Sequence, residues 1–167
     1  MQIAIIADTH MPRGARRLPA DCLDRLARAD LIVHAGDLCA LSVLEDLQAI
    51  NPVVAVQGNV DHREVRALLP ETVLVPVPHG HPVAVVHDAG PSRGRLKRLR
   101  SRFPGAQAVV FGHSHLPLHE TDSDGFQIFN PGSPTERRRA RSHTMGMARV
   151  RSGRIEFELV EVGRSDS

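Results

Sequence analysis

The sequence has no tryptophan and no tyrosine, and only five phenylalanines among its 167 residues. Proteins that bind single-stranded nucleic acid without sequence preference stack bases on aromatic side chains, and this chain offers few of them. Its two cysteines, Cys22 and Cys39, are too few for a disulfide framework and lack the spacing of a zinc knuckle. We therefore expect reduced thiols and regard nucleic acid as a disfavoured partner.

Long apolar runs are absent as well. No stretch approaches the roughly 18 apolar residues that a membrane-spanning helix needs, so we expect no membrane partner. Met1–Asp8 carries neither a basic leader nor a small-residue cleavage site, which predicts a cytoplasmic location. Basic and acidic side chains, 21 against 19, leave a net charge of only +2, whereas ten histidines are available as metal ligands or proton carriers.

Hydrophobic residues make up 41% of the chain, enough to bury the core of one ordinary domain. The sequence contains no linker, internal repeat or low-complexity tract. We predict a single domain over residues 1–162 and a disordered tail over residues 163–167.

The first half of the chain alternates between strand-like and helix-like segments, which is typical of an α/β domain with a largely parallel sheet. The predicted strands are Gln2–Ala7, Leu31–Ala35 and Val53–Gln57, and the predicted helices are Ala20–Ala29, Leu41–Ile50 and Val65–Leu69.

The second half is richer in strands. One helix is predicted at Arg93–Phe103, among strands at Thr72–Val77, Pro82–His87, Ala108–Phe111, Leu116–Glu120, Phe126–Phe129, Met145–Arg151 and Ile155–Val162. Parallel crossovers followed by short strands predict an α/β fold of two packed mixed β-sheets flanked by helices.

Aspartate, histidine and asparagine follow five of these strands at the point where each strand ends. The segments are Asp8–His10, His34–Asp37, Gly58–Asp61, His87 and Gly112–His115. Loops at the carboxyl ends of strands in an open α/β sheet converge on one crevice. We therefore expect these five segments to deliver their side chains to a single site.

Carboxylate, amide and imidazole ligands without thiolate suit manganese, iron, zinc, cobalt or nickel. The number of available ligands is too large for one ion and about right for two ions that share a bridging carboxylate. Two ions about 3.5–4 Å apart can hold a hydroxide between them and stabilise both oxygens of an in-line displacement.

In their order along the chain, these segments resemble the calcineurin-like metallophosphoesterase superfamily. The short length and the segment Asn130–Ser133 are similar to its small single-domain prokaryotic phosphodiesterase branch. The resemblance implies a four-layer sandwich, two divalent metal ions with manganese first among them, and hydrolysis of a small phosphate ester by a hydroxide that bridges the metals.

The resemblance also implies a role for each residue. Asp8, His10 and His115 would bind the first metal, Asn59, His87 and His113 the second, and Asp37 would bridge both. Asp37, Asn59 and His113 would also act in catalysis.

The chain departs from the family pattern at two points. Many relatives have histidine after the asparagine, where it can protonate the leaving group, but here the residue is Val60. We therefore predict a preference for good leaving groups, with His62 as a substitute acid if it points inward. The second departure is at His87, because His79-Gly80-His81 matches the family letters better. We favour His87, since a ligand must lie at the carboxyl end of its strand.

Several residues admit a structural interpretation beside a functional one. His34 could be a buried structural histidine or could support a ligand. Asp61 could support a ligand or cap the next helix. Asn59 and Asn130–Ser133 could be turns. The arginines of residues 137–141 and those of the predicted helix at 93–103 are interpreted as solvated. The arginines of residues 137–141 could also steer phosphate to the site. The same role is open to the arginines of the first loop, Arg13, Arg16 and Arg17.

Two other functions compete with hydrolysis. One is a non-catalytic interaction module on the same fold, as in the retromer scaffold subunit, and it predicts eroded ligands. The other is a nucleic-acid-processing enzyme. Small relatives often self-associate, so a homo-oligomer is also an expectation.

Overall fold

A computed structural model describes residues 1–163 of the chain. Four of the five residues predicted as a disordered tail, 164–167, lie outside the described residues. Gly163 is described, and its backbone N–H donates to Asp21 Oδ1 at 3.0 Å. The predicted domain limits stay a prediction.

Every predicted helix and strand is present, with ends that differ by at most two residues. The strands are β1 (Gln2–Ile6), β2 (Leu31–His34), β3 (Val53–Ala55), β4 (Thr72–Val75), β5 (Val83–Val86), β6 (Ala108–Val110), β7 (Leu118–Thr121), β8 (Gln127–Asn130), β9 (His143–Arg151) and β10 (Arg154–Val162). The helices are α1 (Ala20–Arg28), α2 (Leu41–Gln48), α3 (Arg63–Leu68) and α4 (Arg95–Arg102). A short 3-10 helix at Arg13–Ala15 was not predicted.

The strands form two mixed five-stranded sheets. The first has the order β10-β9-β1-β2-β3 and the second the order β4-β5-β6-β8-β7. Strands β1, β2 and β3 are parallel in the first sheet, as are β5, β6 and β8 in the second, and the remaining neighbours are antiparallel. The central parallel strands therefore end at the same edge of their sheet.

Alternation along β1 explains how the sheets pack. Ile3 and Ile5 belong to a core that includes Val85 and Phe129 of the second sheet, whereas Ile6 packs with residues of α1 and α2. Successive side chains of a strand point to opposite faces, so β1 needs apolar residues throughout. Because Ile5 is only 1% exposed, replacing it with alanine should cost about 2–5 kcal/mol.

A third core lies between α4 and the outer face of the second sheet. The layers are therefore helices, sheet, sheet and helix, which confirms the predicted fold class. None of the helices within residues 1–163 is long and apolar enough to cross a membrane.

Candidate metal centre

The five polar segments that follow strands meet at one place. The backbone N–H groups of Asp8 and His10 donate to the carbonyls of Gly36 and Asp37, each at 3.0 Å, and that of Gly112 donates to the carbonyl of His87 at 3.0 Å. These bonds join loops within each sheet, and the N–H of His113 donates to Asp8 Oδ1 at 3.1 Å to join the loops of the two sheets. This arrangement brings together all seven side chains that the sequence predicted as metal ligands.

Asp8, His10 and His115 form the first group of ligand atoms. One oxygen or nitrogen from each of these buried side chains lies within 4.8 Å of the other two. Asp8 Oδ2, His10 Nε2 and His115 Nε2 are buried without a hydrogen-bond partner. Leaving a buried polar atom unpaired costs about 1–3 kcal/mol. Three such atoms pointing at one space fit a divalent cation there.

Asp37, His87 and His113 form the second group, again within 4.8 Å of one another. Asn59 joins them, because its Oδ1 lies 3.0 Å from His87 Nε2 and 3.0 Å from His113 Nδ1. His87 Nδ1 must carry a proton, since it donates to the carbonyl of Ala35 at 2.8 Å. In the neutral ring the lone pair is therefore on Nε2 and faces the oxygens, an arrangement that suits a shared cation.

The carboxylate of Asp37 lies between the two groups. Its Oδ2 is 3.5 Å from His10 Nε2 and 3.3 Å from His87 Nε2. Its Oδ1 accepts the backbone N–H of Val60 at 2.9 Å, which fixes the orientation of the carboxylate. Asp37 is therefore the side chain placed to face both candidate sites.

Burial and charge set the protonation of these groups. Burial raises the pKa of Asp8 to about 7. Burial also lowers the pKa of His115 to about 4 and lowers the pKa of His10 below its ordinary value. Burial alone would lower the pKa of His87, but the bond to Asp37 and its charge raise it to about 8. Burial would raise the pKa of Asp37, but the bond to His87, the charge of His87 and the N–H of Val60 together lower it. At pH 7 the two histidines of the first group are thus neutral, and Asp8 is about half ionised.

The backbone at the site is strained. Asp8, His10, Asp37, His113 and His115 all have positive φ, from 48° to 69°. Few residues other than glycine adopt this region, and each instance costs on the order of 1–3 kcal/mol unless the surroundings enforce it. Five instances in one site support a functional constraint on these loops.

Two glycines allow the loops to approach closely. A Cβ at Gly58 would overlap the backbone nitrogen and the carboxylate of Asp37. A Cβ at Gly112 would lie 2.9 Å from the Cβ of Ala7 and 3.0 Å from Asp8 Oδ2. No larger residue fits at either position without moving a candidate ligand.

His34 and Asp61 connect these loops behind the ligands. His34 Nδ1 accepts the N–H of Gly36 at 3.2 Å, so its Nε2–H donates to Thr9 Oγ1 at 3.0 Å. Burial lowers the pKa of His34 to about 3, which keeps the ring neutral.

Asp61 accepts N–H groups from Cys39 and Gly58, each at 2.7 Å, whereas His62 and not Asp61 precedes α3 as its cap. The helix-cap interpretation of Asp61 is therefore wrong. That His34 and Asp61 support ligands stays a prediction, which these contacts favour.

The turn at Asn130–Ser133 also contacts the site. Asn130 Nδ2 donates to the carbonyl of Gly112 at 2.9 Å and to Ser114 Oγ at 3.1 Å. Ser133 Oγ donates to the carbonyl of Asp8 at 2.8 Å. The segment is a turn that also holds the loops of Asp8 and His113 in place.

Sequence reasoning missed Glu136. Its backbone carbonyl accepts from His115 Nδ1 at 2.6 Å, and its Oε2 lies 3.8 Å from His10 Nδ1. The first bond leaves the lone pair of His115 on Nε2, where a metal would need it. The one signal available in the sequence was an acidic residue directly before a run of arginines.

The alternative residues weighed from the sequence lie elsewhere. His62 is exposed, with Nδ1 4.0 Å from Glu64 Oε1. His81 is exposed before β5, at the opposite end of that strand from His87. Val60 meets the site through its backbone N–H and presents no ionisable group. His62 and Val60 therefore supply no acid to the site, and His81 lies away from the position of His87 that a ligand to the second metal requires.

Comparisons with known proteins identify the family of this chain. The family model described as the calcineurin-like phosphoesterase superfamily domain matches residues 1–153. A probable metallophosphoesterase of Methanothermobacter thermautotrophicus is 32% identical over 98% of this chain and 94% of its own length.

Two solved structures show the same fold. Vps29 of Entamoeba histolytica, complexed with zinc, has a TM-score of 0.77 at 21% identity, covering 96% of this chain and 99% of its own. A structure described as a novel archaeal phosphodiesterase has a TM-score of 0.72 at 17% identity, covering 96% of this chain and 100% of its own. The family match over most of the chain shows that this protein belongs to the calcineurin-like phosphoesterase superfamily.

Proposed function

We propose that this protein is a metal-dependent phosphoesterase that acts on small phosphodiesters in preference to phosphomonoesters and works with two divalent ions, of which manganese is the first choice. The observation that carries the proposal is the position of Asp37 Oδ2, 3.5 Å from His10 and 3.3 Å from His87. A carboxylate facing two groups of ligands fits a pair of ions that share it. The solved structure described as an archaeal phosphodiesterase supports the preference for diesters.

The residues that would hold the ions follow from the two groups. Asp8, His10 and His115 would hold one, Asn59, His87 and His113 the other, and Asp37 both. When bound, a pair of divalent ions makes water a nucleophile at neutral pH and offsets charge on phosphoryl oxygens.

The chain's own residues prepare this site. The carbonyls of Ala35 and Glu136 accept the Nδ1 protons of His87 and His115, so Nε2 is the nitrogen that each ring can offer to a metal. Asp37 stays ionised at neutral pH because its pKa is lowered. Asn59 and His113 are exposed whereas the first group is buried, so a substrate approaches from the side of the second group, where His113 and Asn59 contact it.

Room for an ester group exists beside the second group. A cavity of about 290 Å³ is lined by Asn59 and His87 together with Arg66, Glu71 and Arg102. Since Val60 supplies no proton for the leaving group, the reaction should favour aryl esters, whose oxygen leaves without one.

The test is metal loading followed by hydrolysis of aryl phosphodiesters and phosphomonoesters with each candidate metal. Wild type should bind about two ions per chain and turn over the diester faster. Asp37→Asn should lower kcat/KM about a hundredfold or more, whereas the exposed Asp24→Asn should leave it unchanged.

Failure to turn over any ester with any metal would contradict the proposal and favour a protein-interaction scaffold. Location in the cytoplasm and self-association stay predictions.

A further inference from the structure

Two arginines from distant parts of the chain meet at one carboxylate next to the first group. Glu136 Oε1 lies 3.3 Å from Arg16 Nη2 and 3.8 Å from Arg138 Nε. Arg16 belongs to the loop after β1, and Arg138 follows the turn after β8. We call Arg16 and Arg138 the arginine pair. Their meeting at Glu136 is a product of the tertiary fold, since 121 residues separate them (138 minus 16, less one).

The arginine pair lies directly outside the first group. The carboxylate that joins the pair reaches His10 Nδ1 at 3.8 Å, and the carbonyl of the same residue holds His115. The charge of Arg138 acts on all three ligands of the first group: it adds to the lowering of the pKa of His10 and His115 and partly opposes the rise that burial causes in the pKa of Asp8. An anion bound to these guanidinium groups would therefore sit beside the reacting centre.

The contacts of Glu136 with the pair are loose. Charge-assisted N–H···O bonds measure about 2.7–2.9 Å, and both contacts are longer than that. Two guanidinium groups against one carboxylate leave a charge of +1. The side chains of Arg16 and Arg138 are 29% and 49% exposed, so a ligand can reach them from solvent.

The other arginine contacts nearby are directed elsewhere. Arg137 Nη1 donates to the carbonyl of Arg141 at 2.9 Å, within its own turn. Arg138 instead has a positive φ of 46°, a conformation that arginine rarely adopts, and its guanidinium lies toward Glu136. Arg16 Nη1 donates to the carbonyl of Arg13 at 2.9 Å, which fixes the guanidinium. Its Nη2 then faces the carboxylate of Glu136.

We propose that the arginine pair is a specificity subsite, which binds an anionic group carried by the substrate outside its scissile phosphate, in exchange for the contacts to Glu136. The inference rests on the proposed phosphoesterase function and names its substrate class. That class is phosphodiesters whose second ester group bears a carboxylate or another phosphate.

The test uses two p-nitrophenyl phosphodiesters with the same leaving group. One has a propyl group as its second ester substituent and the other a carboxyethyl group of similar size. The wild-type enzyme, loaded with manganese, should hydrolyse the carboxyethyl ester with the higher kcat/KM. The preference should weaken as salt is raised, because exposed charges are screened.

Arg16→Ala and Arg138→Ala should each reduce this preference about fivefold, because each should raise the KM for the carboxyethyl ester. That factor corresponds to about 1 kcal/mol, the upper range for an exposed ion pair. Arg139→Ala, an exposed arginine next in the chain, is the matched control and should keep the preference of wild type. Thermal melting should show that all three variants fold.

Equal losses on both esters would overturn the subsite, because the arginines would then act on the scissile phosphate itself. An unchanged preference in both variants would also overturn it, while hydrolysis of the propyl ester would still uphold the proposed function. If neither ester is turned over, that function fails, and the two esters are titrated into the manganese-loaded protein by calorimetry. Equal affinities in that titration would overturn the subsite as well.

Discussion

Replacing Asp8 by asparagine should change how the stability of the metal-free protein depends on pH. Asp8 is fully buried, and burial raises its pKa from 3.8 to about 7. Below about pH 3 the carboxyl is protonated in both the folded and the unfolded chain, so its ionisation does not change the free energy of unfolding. As pH rises toward 7, the unfolded chain loses this proton and the folded chain keeps it, so folding becomes less favourable.

The size of the effect follows from the two pKa values. They are separated by about three pH units, and each unit corresponds to about 1.4 kcal/mol. Ionisable Asp8 therefore lowers the free energy of unfolding by up to about 4 kcal/mol between pH 4 and pH 7, and the loss is complete above the folded pKa. Asparagine keeps the size and the oxygen that accepts the N–H of His113 at 3.1 Å, but cannot ionise.

The assay is urea unfolding of wild type and Asp8→Asn in a chelator from pH 4 to pH 8. Other groups titrate in this range, among them His87, whose pKa is raised to about 8. They are present in both proteins, so the difference between the two curves reports Asp8 together with its charge interaction with His87. As pH rises, the free energy of unfolding of the asparagine variant should increase relative to that of wild type by a few kcal/mol. A constant difference across the range would refute the reasoning, because the carboxylate would then not be desolvated.

Three further results are expected. His87→Ala should lose about one of two bound metal ions in elemental analysis, whereas His81→Ala should lose none; the reverse result would mean that the wrong histidine was chosen. Gly58→Ala should lower the free energy of unfolding by about 1–3 kcal/mol through overpacking and weaken metal binding, whereas the exposed Gly105, whose Cβ would meet nothing within 4 Å, should accept alanine. In a series of aryl phosphodiesters, kcat/KM should rise steeply as the pKa of the leaving phenol falls, and rates insensitive to that pKa would reveal an efficient general acid.

Local pattern was enough to predict the elements and the layers. The central strands are apolar on both faces because each sheet has a partner sheet on one side and helices on the other. Their polar endings predicted one crevice, because parallel strands that share a sheet end at the same edge. The short 3-10 helix was missed, since it depends on the conformation of a loop and not on a hydrophobic period.

The sequence by itself determined which chemistry is available: aspartate, asparagine and histidine at the ends of strands, and valine where an acid would help. Only the tertiary structure decided which atoms face each other. The protons of His87 and His115 are held by carbonyls of Ala35 and Glu136, 52 and 21 residues away in the chain. The meeting of Arg16, Glu136 and Arg138 likewise depends on how the loops of two sheets pack together, because periodicity reports only which face of an element is buried and not which side chains meet across loops.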